Sequence, residues 1–157
     1  MANEIRVGII GAAGYTAGEL IRILLNHPGT TINFLHSKSS AGNPVYKVHQ
    51  ELVGETDFKF TGELQNDIDV LFLCLGHGES IKFIEENNIF PSIKIIDLAN
   101  DFRLNLKSQI GNRKFVYGLP ELQKEKIITA NNIANPGCFA TAIQLGLLPL
   151  AKAGLLN

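Results

Sequence analysis

Cysteine is nearly absent: Cys74 and Cys138 are the only two in 157 residues, and they form neither a CxxC pair nor part of a metal-ligand cluster. That excludes a disulfide-stapled scaffold and a cysteine-based metal site, and it fits a reducing cytosol. Charge of one sign is missing too. Lys and Arg total 14 against 15 Asp and Glu, a net charge of -1 spread without a basic stripe, so neither nucleic acid nor an anionic membrane is expected as a partner. The longest apolar runs, such as Val70-Leu71-Phe72-Leu73-Cys74-Leu75, fall far short of the roughly 18 residues that cross a bilayer. Glu4 stands within the strand-like N-terminal pattern, so no export signal is expected and the location reads as cytoplasmic. Internal repeats and low-complexity segments are lacking, which removes solenoid architectures. The length suits one domain with a real core.

What is present alternates. Ile5-Arg6-Val7-Gly8-Ile9-Ile10 reads as a buried strand, Gly11 to Thr16 as a glycine-rich turn, and Ala17 to Asn26 as a helix whose Leu20, Ile21, Leu24 and Leu25 share a face. Pro28-Gly29 stops the helix and Thr31 to His36 forms a second strand. Ile68 to Leu75 and Ile93 to Leu98 are further strands, with a short helix from Glu79 to Glu86 between them; Phe115 to Tyr117 and Lys126 to Ala130 are shorter strand candidates. Ala41 to Thr61 resists assignment beyond one short strand near Phe58-Lys59-Phe60. The order predicts an α/β fold, a Rossmann-like, doubly wound and mostly parallel sheet.

The glycines of Gly8-Ile9-Ile10-Gly11-Ala12-Ala13-Gly14 recur at every third residue, unlike plain GxGxxG spacing. The physics carries over, because Gly11 permits a tight turn, Gly14 a close approach, and the next helix offers free N–H groups to a pyrophosphate. Close packing is the competing use of these glycines. NAD sites usually place an acid at the end of the second strand, and none occurs there. His36-Ser37-Lys38-Ser39-Ser40 offers hydroxyls and a cation instead, which suits the 2′-phosphate of NADP(H); a solvated polar loop is the alternative.

Asn135-Pro136-Gly137-Cys138 precedes the apolar run Phe139 to Leu148. Pro136 and Gly137 break the preceding chain and leave Cys138 at a helix start, near free N–H groups and the positive end of the dipole. Such a site raises the thiolate fraction of a cysteine, although a buried structural cysteine after a turn has the same spacing. A reactive thiol beside a nicotinamide site suggests covalent capture of an acyl group followed by hydride transfer.

Five motifs in order resemble the N-acetyl-gamma-glutamyl-phosphate reductase family, NADPH-dependent enzymes of arginine biosynthesis related to aspartate-semialdehyde dehydrogenase. They are Gly8 to Thr16, Gly76-His77-Gly78, Asp97 to Leu104, Tyr117-Gly118-Leu119-Pro120-Glu121-Leu122 and Asn135-Pro136-Gly137-Cys138. Phe139-Ala140-Thr141 departs from the Tyr-Pro-Thr common there. The resemblance implies that Cys138 attacks N-acetyl-gamma-glutamyl phosphate, that phosphate leaves, and that NADPH reduces the thioester to the semialdehyde. It implies a cofactor set of Gly11, Ala13, Gly14, Tyr15, Thr16, Ser37, Lys38, Ser39, Gly76 and His77, although His77 between two glycines can also simply cap a loop. Arg103, beside Asp101 and Phe102, and Asn135 are the substrate contacts it suggests, with an exposed structural ion pair as the other reading of Arg103. His27, His36 and His49 have no motif around them and read as ordinary polar residues; no metal ligands are expected.

Members of that family are about twice as long as this chain. Residues 1–137 correspond to an NADP-binding Rossmann domain and 138–157 to the start of a truncated substrate and dimerisation domain. A proton-transferring histidine is expected beyond Asn157, the chain alone is expected to turn over poorly, and the full-length protein is expected to be a homo-oligomer. A relative acting on aspartyl or aminoadipyl phosphate, or a non-catalytic dinucleotide-binding module, remains an alternative.

Overall fold

Four consecutive residues, Val7 to Ile10, are buried in a computed structural model of the chain, which describes residues 4–104 and 109–156. An uninterrupted buried run needs cover on both faces, as in a parallel sheet flanked by helices. The elements supply it. β1 (Ile5–Ile10), α1 (Tyr15–Leu25) and β2 (Thr30–His36) form a first unit, and β3 (Val70–Leu73), α2 (Glu79–Glu86) and β4 (Lys94–Asp97) a second. β5 (Gln109–Ile110), β6 (Arg113–Tyr117), α3 (Pro120–Thr129) and β7 (Asn132–Ala134) follow, and α4 (Cys138–Lys152) comes last.

The strands form one sheet in the order β2-β1-β3-β4-β7-β6-β5. Every pairing is parallel except β5 with β6. The carboxyl ends of β1, β3, β4, β6 and β7 therefore open on one edge. Val7 and Ile9 join a core with Ile21 of α1, Leu35 and Leu52, whereas Ile10 joins Leu71, Leu73, Ile95, Phe102 and Phe115. That alternation places the two cores on opposite faces. In the second, Phe102 stacks on Phe115 with ring centroids 3.9 Å apart.

Three expectations are corrected. Lys126 to Thr129 belong to α3 rather than to a strand: Pro120 at the first helical turn and Glu121 beside it start a helix, and the pair Ile127-Ile128 misleads because isoleucine favours strands. The strand of this region is β7, which has only three residues. Near Phe58-Lys59-Phe60 isolated bridges join Lys59 to Pro44 and Thr61 to His36 instead of a strand, and Ala41 to Thr61 also carries two short 3-10 turns, Val45–Lys47 and Gln50–Leu52. α1 also begins at Tyr15, two residues earlier than its apolar face suggests. α4 begins at Cys138 and buries none of its residues; Phe139 is 82 % exposed and Ile143 59 %.

Candidate active site

The turn after β1 is set by its glycines. Gly11 adopts φ +73°, a left-handed conformation that disfavours any side chain, and a Cβ there would lie 2.3 Å from the Cys74 carbonyl oxygen. The ends of β1 and β3 are thus in contact. Gly14 is extended, donates its N–H to the Gly11 oxygen at 2.9 Å, and leads into α1, whose first turn carries no acid. The first N–H groups of such a helix have no intrahelical acceptor and face outward with the positive end of its dipole.

Two cavities flank this turn. On the β2 side, about 690 Å³ is lined by Gly11, Ser37, Lys38 and Ser39, with Glu79 and Lys82 from α2. Ser37 is buried and its hydroxyl lies 3.4 Å from that of Ser39. His36 lines the same cavity, and burial first, with Lys38 nearby, pushes its pKa down. Its imidazole is therefore biased to the neutral form, and the cations there are Lys38 and Lys82. Lys82 lies on a different element from the serine-lysine loop, so no local motif announces it.

On the other side, a cleft of about 790 Å³ is lined by Thr16, His77, Arg103, Asn135 and Cys138, with Gly118 to Glu121 along one wall. Cys138 is an exposed free thiol at the first residue of α4, behind the extended Gly137, and the Thr141 N–H to Gly137 oxygen bond of 2.9 Å begins the helix. Cys74, by contrast, is half-buried, and burial with the nearby Asp97 pushes its thiol up to about 12. Burial thus keeps the Cys74 thiol protonated, whereas Cys138 is open to the cleft.

Arg103 makes no ion pair among the described residues. Its Nε donates to the Asn135 carbonyl at 2.8 Å and its Nη2 to the Leu98 carbonyl at 2.7 Å, so it ties the loop after β4 to the Asn135-Pro136-Gly137-Cys138 turn. A Cβ on Gly137 would come within 2.9 Å of its Nη1, so a side chain immediately before the thiol would displace the guanidinium. Asp101 turns away instead, accepting from the N–H groups of Gly78 at 2.9 Å and Ile81 at 3.2 Å. It caps α2 and fixes the loop that holds His77. His77 Nδ1 accepts from Asn100 N–H at 3.2 Å, so neutral His77 carries its proton on Nε2; it both caps a loop and lines the cleft. Asn135 donates its backbone N–H to the Asp97 carbonyl at 2.8 Å.

The remaining expected residues are placed differently. Gly76 lines neither cavity and accepts the Glu79 N–H at 3.1 Å. Tyr15 is 95 % exposed, and with Ala13 it borders a third hollow shared with His49 and Glu51. The reading of His36 and His49 as ordinary polar residues is corrected, because both are buried. His49 reaches the turn itself, its Nε2 lying 2.7 Å from the Ala12 oxygen.

Residues 6–130 match the family model described as semialdehyde dehydrogenase, NAD binding domain. The chain is similar to the N-acetyl-gamma-glutamyl-phosphate reductase of Flavobacterium johnsoniae, with 57% identity over 153 residues, 98% of this chain and 47% of that one. It is 58% identical over 149 residues to the protein of the same name from Bacteroides thetaiotaomicron, covering 94% of this chain and 45% of that one. The chain thus spans about half the length of these curated relatives. A crystal structure of aspartate semialdehyde dehydrogenase with NADP from Candida albicans superposes with a TM-score of 0.68 at 18% identity, over 98% of this chain and 48% of that one. That likeness shows the fold.

Proposed function

The chain belongs to the semialdehyde dehydrogenase family through its NAD-binding domain, and on that premise we propose that it is the coenzyme-binding part of an NADPH-dependent N-acetyl-gamma-glutamyl-phosphate reductase. One observation carries the reading: Thr16, at the start of the dinucleotide-type helix, and Cys138, at the start of α4, line the same cleft. Curated relatives of that name at 57% and 58% identity support the substrate.

The residues fit the coenzyme. Gly11 and Gly14 keep side chains off the turn, and the acid-free first turn of α1 favours a pyrophosphate. Ser37, Ser39, Lys38 and Lys82 would hold a 2′-phosphate, while Thr16 and His77 would line the path of the nicotinamide end. Bound NADPH supplies the hydride.

Cys138, as thiolate, attacks the carbonyl carbon of the acyl phosphate. A carbon–sulfur bond forms, the carbon–oxygen bond to phosphate breaks, and phosphate departs with the electron pair. After hydride addition to the thioester carbon, that carbon–sulfur bond breaks, the thiolate leaves, and the aldehyde remains. Arg103 holds the thiol-bearing turn through the Asn135 carbonyl and places a cation at the cleft for the phosphate or carboxylate of the substrate. The apolar face of α4, with Phe139 and Ile143 exposed, would be covered by the substrate and dimerisation part of a cytoplasmic homo-oligomer acting in arginine biosynthesis. Among the described residues no helix is long and apolar enough to cross a membrane.

Isothermal titration tests the coenzyme assignment. NADPH is expected to bind more tightly than NADH, and Lys38→Ala to narrow the difference. Tighter NADH binding would refute it. Steady-state assays of the complete enzyme against N-acetylglutamyl, aspartyl and aminoadipyl phosphates test the substrate, with the first expected to give the highest kcat/KM.

A further inference from the structure

His49 belongs to none of the motifs that mark the glycine turn or the thiol. It is 5 % exposed and sits between the two 3-10 turns, its N–H donating to Val45 oxygen at 2.9 Å and its carbonyl accepting from Leu52 N–H at 3.0 Å. Its Nε2 lies 2.7 Å from the carbonyl oxygen of Ala12. A carbonyl only accepts, so Nε2 carries the proton. Nδ1 is 3.8 Å from Glu51 Oε1, too far for a hydrogen bond. The ring also presses on α1 at Gly18, where a Cβ would fall 2.4 Å from Nδ1. Glycine, a residue that helix interiors disfavour, is what lets the imidazole reach the turn.

Ala12 is held from both ends, because its own N–H donates to the His36 oxygen at 2.9 Å. None of the described peptide bonds is cis, and in a trans peptide the N–H points opposite to the C=O. While His49 holds the Ala12 oxygen on its side, the Ala13 N–H must point away from His49, and among the described residues it meets no backbone acceptor. We propose that His49 is a positioning residue of the dinucleotide turn: its Nε2–H locks the Ala12–Ala13 peptide so that the Ala13 N–H is presented to the coenzyme pyrophosphate. The inference rests on the reading of this turn as a dinucleotide site.

The test measures NADPH affinity by isothermal titration in the full chain, with thermal melts alongside, for wild type, His49→Leu, His49→Gln and Gly18→Ala. Glutamine keeps an N–H donor at similar reach. His49→Leu is expected to lose at least tenfold in affinity, His49→Gln to recover to within about threefold of wild type, and Gly18→Ala, which displaces the ring, to resemble His49→Leu. A folded His49→Leu that binds like wild type overturns the proposal. If that variant does not fold, amide spectra of the wild type decide. The Ala13 resonance is expected to shift on NADPH titration with His49 as the Nε2–H tautomer, and an Ala13 amide unmoved at saturation overturns the proposal. A wild-type chain that binds no NADPH at all overturns the dinucleotide reading, and this inference with it.

Discussion

Gly11 and Gly54 share nearly one backbone conformation, φ +73° and +82°, in opposite surroundings, and alanine at each separates two costs. At Gly54 a Cβ would meet nothing within 4 Å, whereas at Gly11 it would lie 2.3 Å from the Cys74 oxygen and 2.9 Å from the Cys74 carbonyl carbon. The left-handed conformation costs an L-residue about 1–2 kcal/mol, partly offset by about 0.4–1 kcal/mol from the stiffer unfolded chain. Gly54→Ala should therefore destabilise by about 1 kcal/mol. Gly11→Ala adds a clash with backbone, which cannot rotate away as a side chain can, and overpacking of this kind costs about 1–3 kcal/mol more. Its total is about 2–4 kcal/mol. With no tryptophan in the chain, urea unfolding followed by far-ultraviolet circular dichroism gives both values at a common slope. Gly11→Ala should also weaken NADPH binding, since relief of the clash parts the ends of β1 and β3, and Gly54→Ala should leave it unchanged. Equal destabilisation of the two variants would refute the argument, because φ alone would then account for both.

At pH 8 iodoacetamide should label Cys138 and spare Cys74. With its thiol pushed up to about 12, Cys74 is almost wholly protonated there, and peptide mapping that finds Cys74 modified in the folded chain contradicts this. Asp97 is fully buried, accepts from Ser80 Oγ at 2.5 Å and Ala99 N–H at 3.2 Å, and leaves Oδ2 unpartnered; burial pushes its pKa up. Its folded form therefore favours the proton, so its contribution to stability is full below the unfolded value of about 3.9 and is lost as pH rises through the raised folded value. Stability of the wild type relative to Asp97→Asn should fall as pH rises from about 4, measured by urea midpoints; a relative stability that is flat or rising would sink the assignment. The exposed apolar residues of α4 should make the chain self-associate, and Ile143→Glu should reduce that association in sedimentation velocity; unchanged association would show that another face is responsible.

Local signals carried the elements whose physics is local. α2 runs from Glu79 to Glu86 as its sequence pattern implies, the glycine turn follows β1, and Cys138 opens α4. What escaped is non-local. His49 meets Ala12 across 37 positions and Arg103 meets Asn135 across 32, and no periodicity encodes such pairs. In α3 two adjacent isoleucines imitate a strand, although Pro120 starts a helix ahead of them. Lys82 carries no local signal, because it enters the cavity beside Ser37 to Ser39 from α2 rather than from the loop after β2.

Parallel topology brings the glycine turn and a thiol more than a hundred residues further along the chain to one edge of the sheet. The chain runs from β1 outward to β2, then returns to place β3 on the other side of β1. That reversal opens a crevice at the carboxyl ends of β1 and β3, where Gly11 abuts Cys74. β4 and then β7 extend the same edge, and Cys138 leaves it three strand spacings from β1, roughly 14 Å at about 4.8 Å per strand. The turn and the thiol are therefore too far apart to touch, and an extended coenzyme lying along the edge is what would connect them. Arg103 works along that same line, holding the carbonyls of Leu98 and Asn135 at the ends of β4 and β7. Lysine, a single ammonium in place of a planar fork, cannot span both carbonyls in this geometry. On the proposed reading, Arg103→Lys in the complete enzyme should therefore lower kcat at least tenfold, whereas NADPH affinity, assigned there to the β1 and β2 side, should change less than threefold. A variant that loses coenzyme affinity and turnover in equal measure would show that the two ends of the edge are not separable.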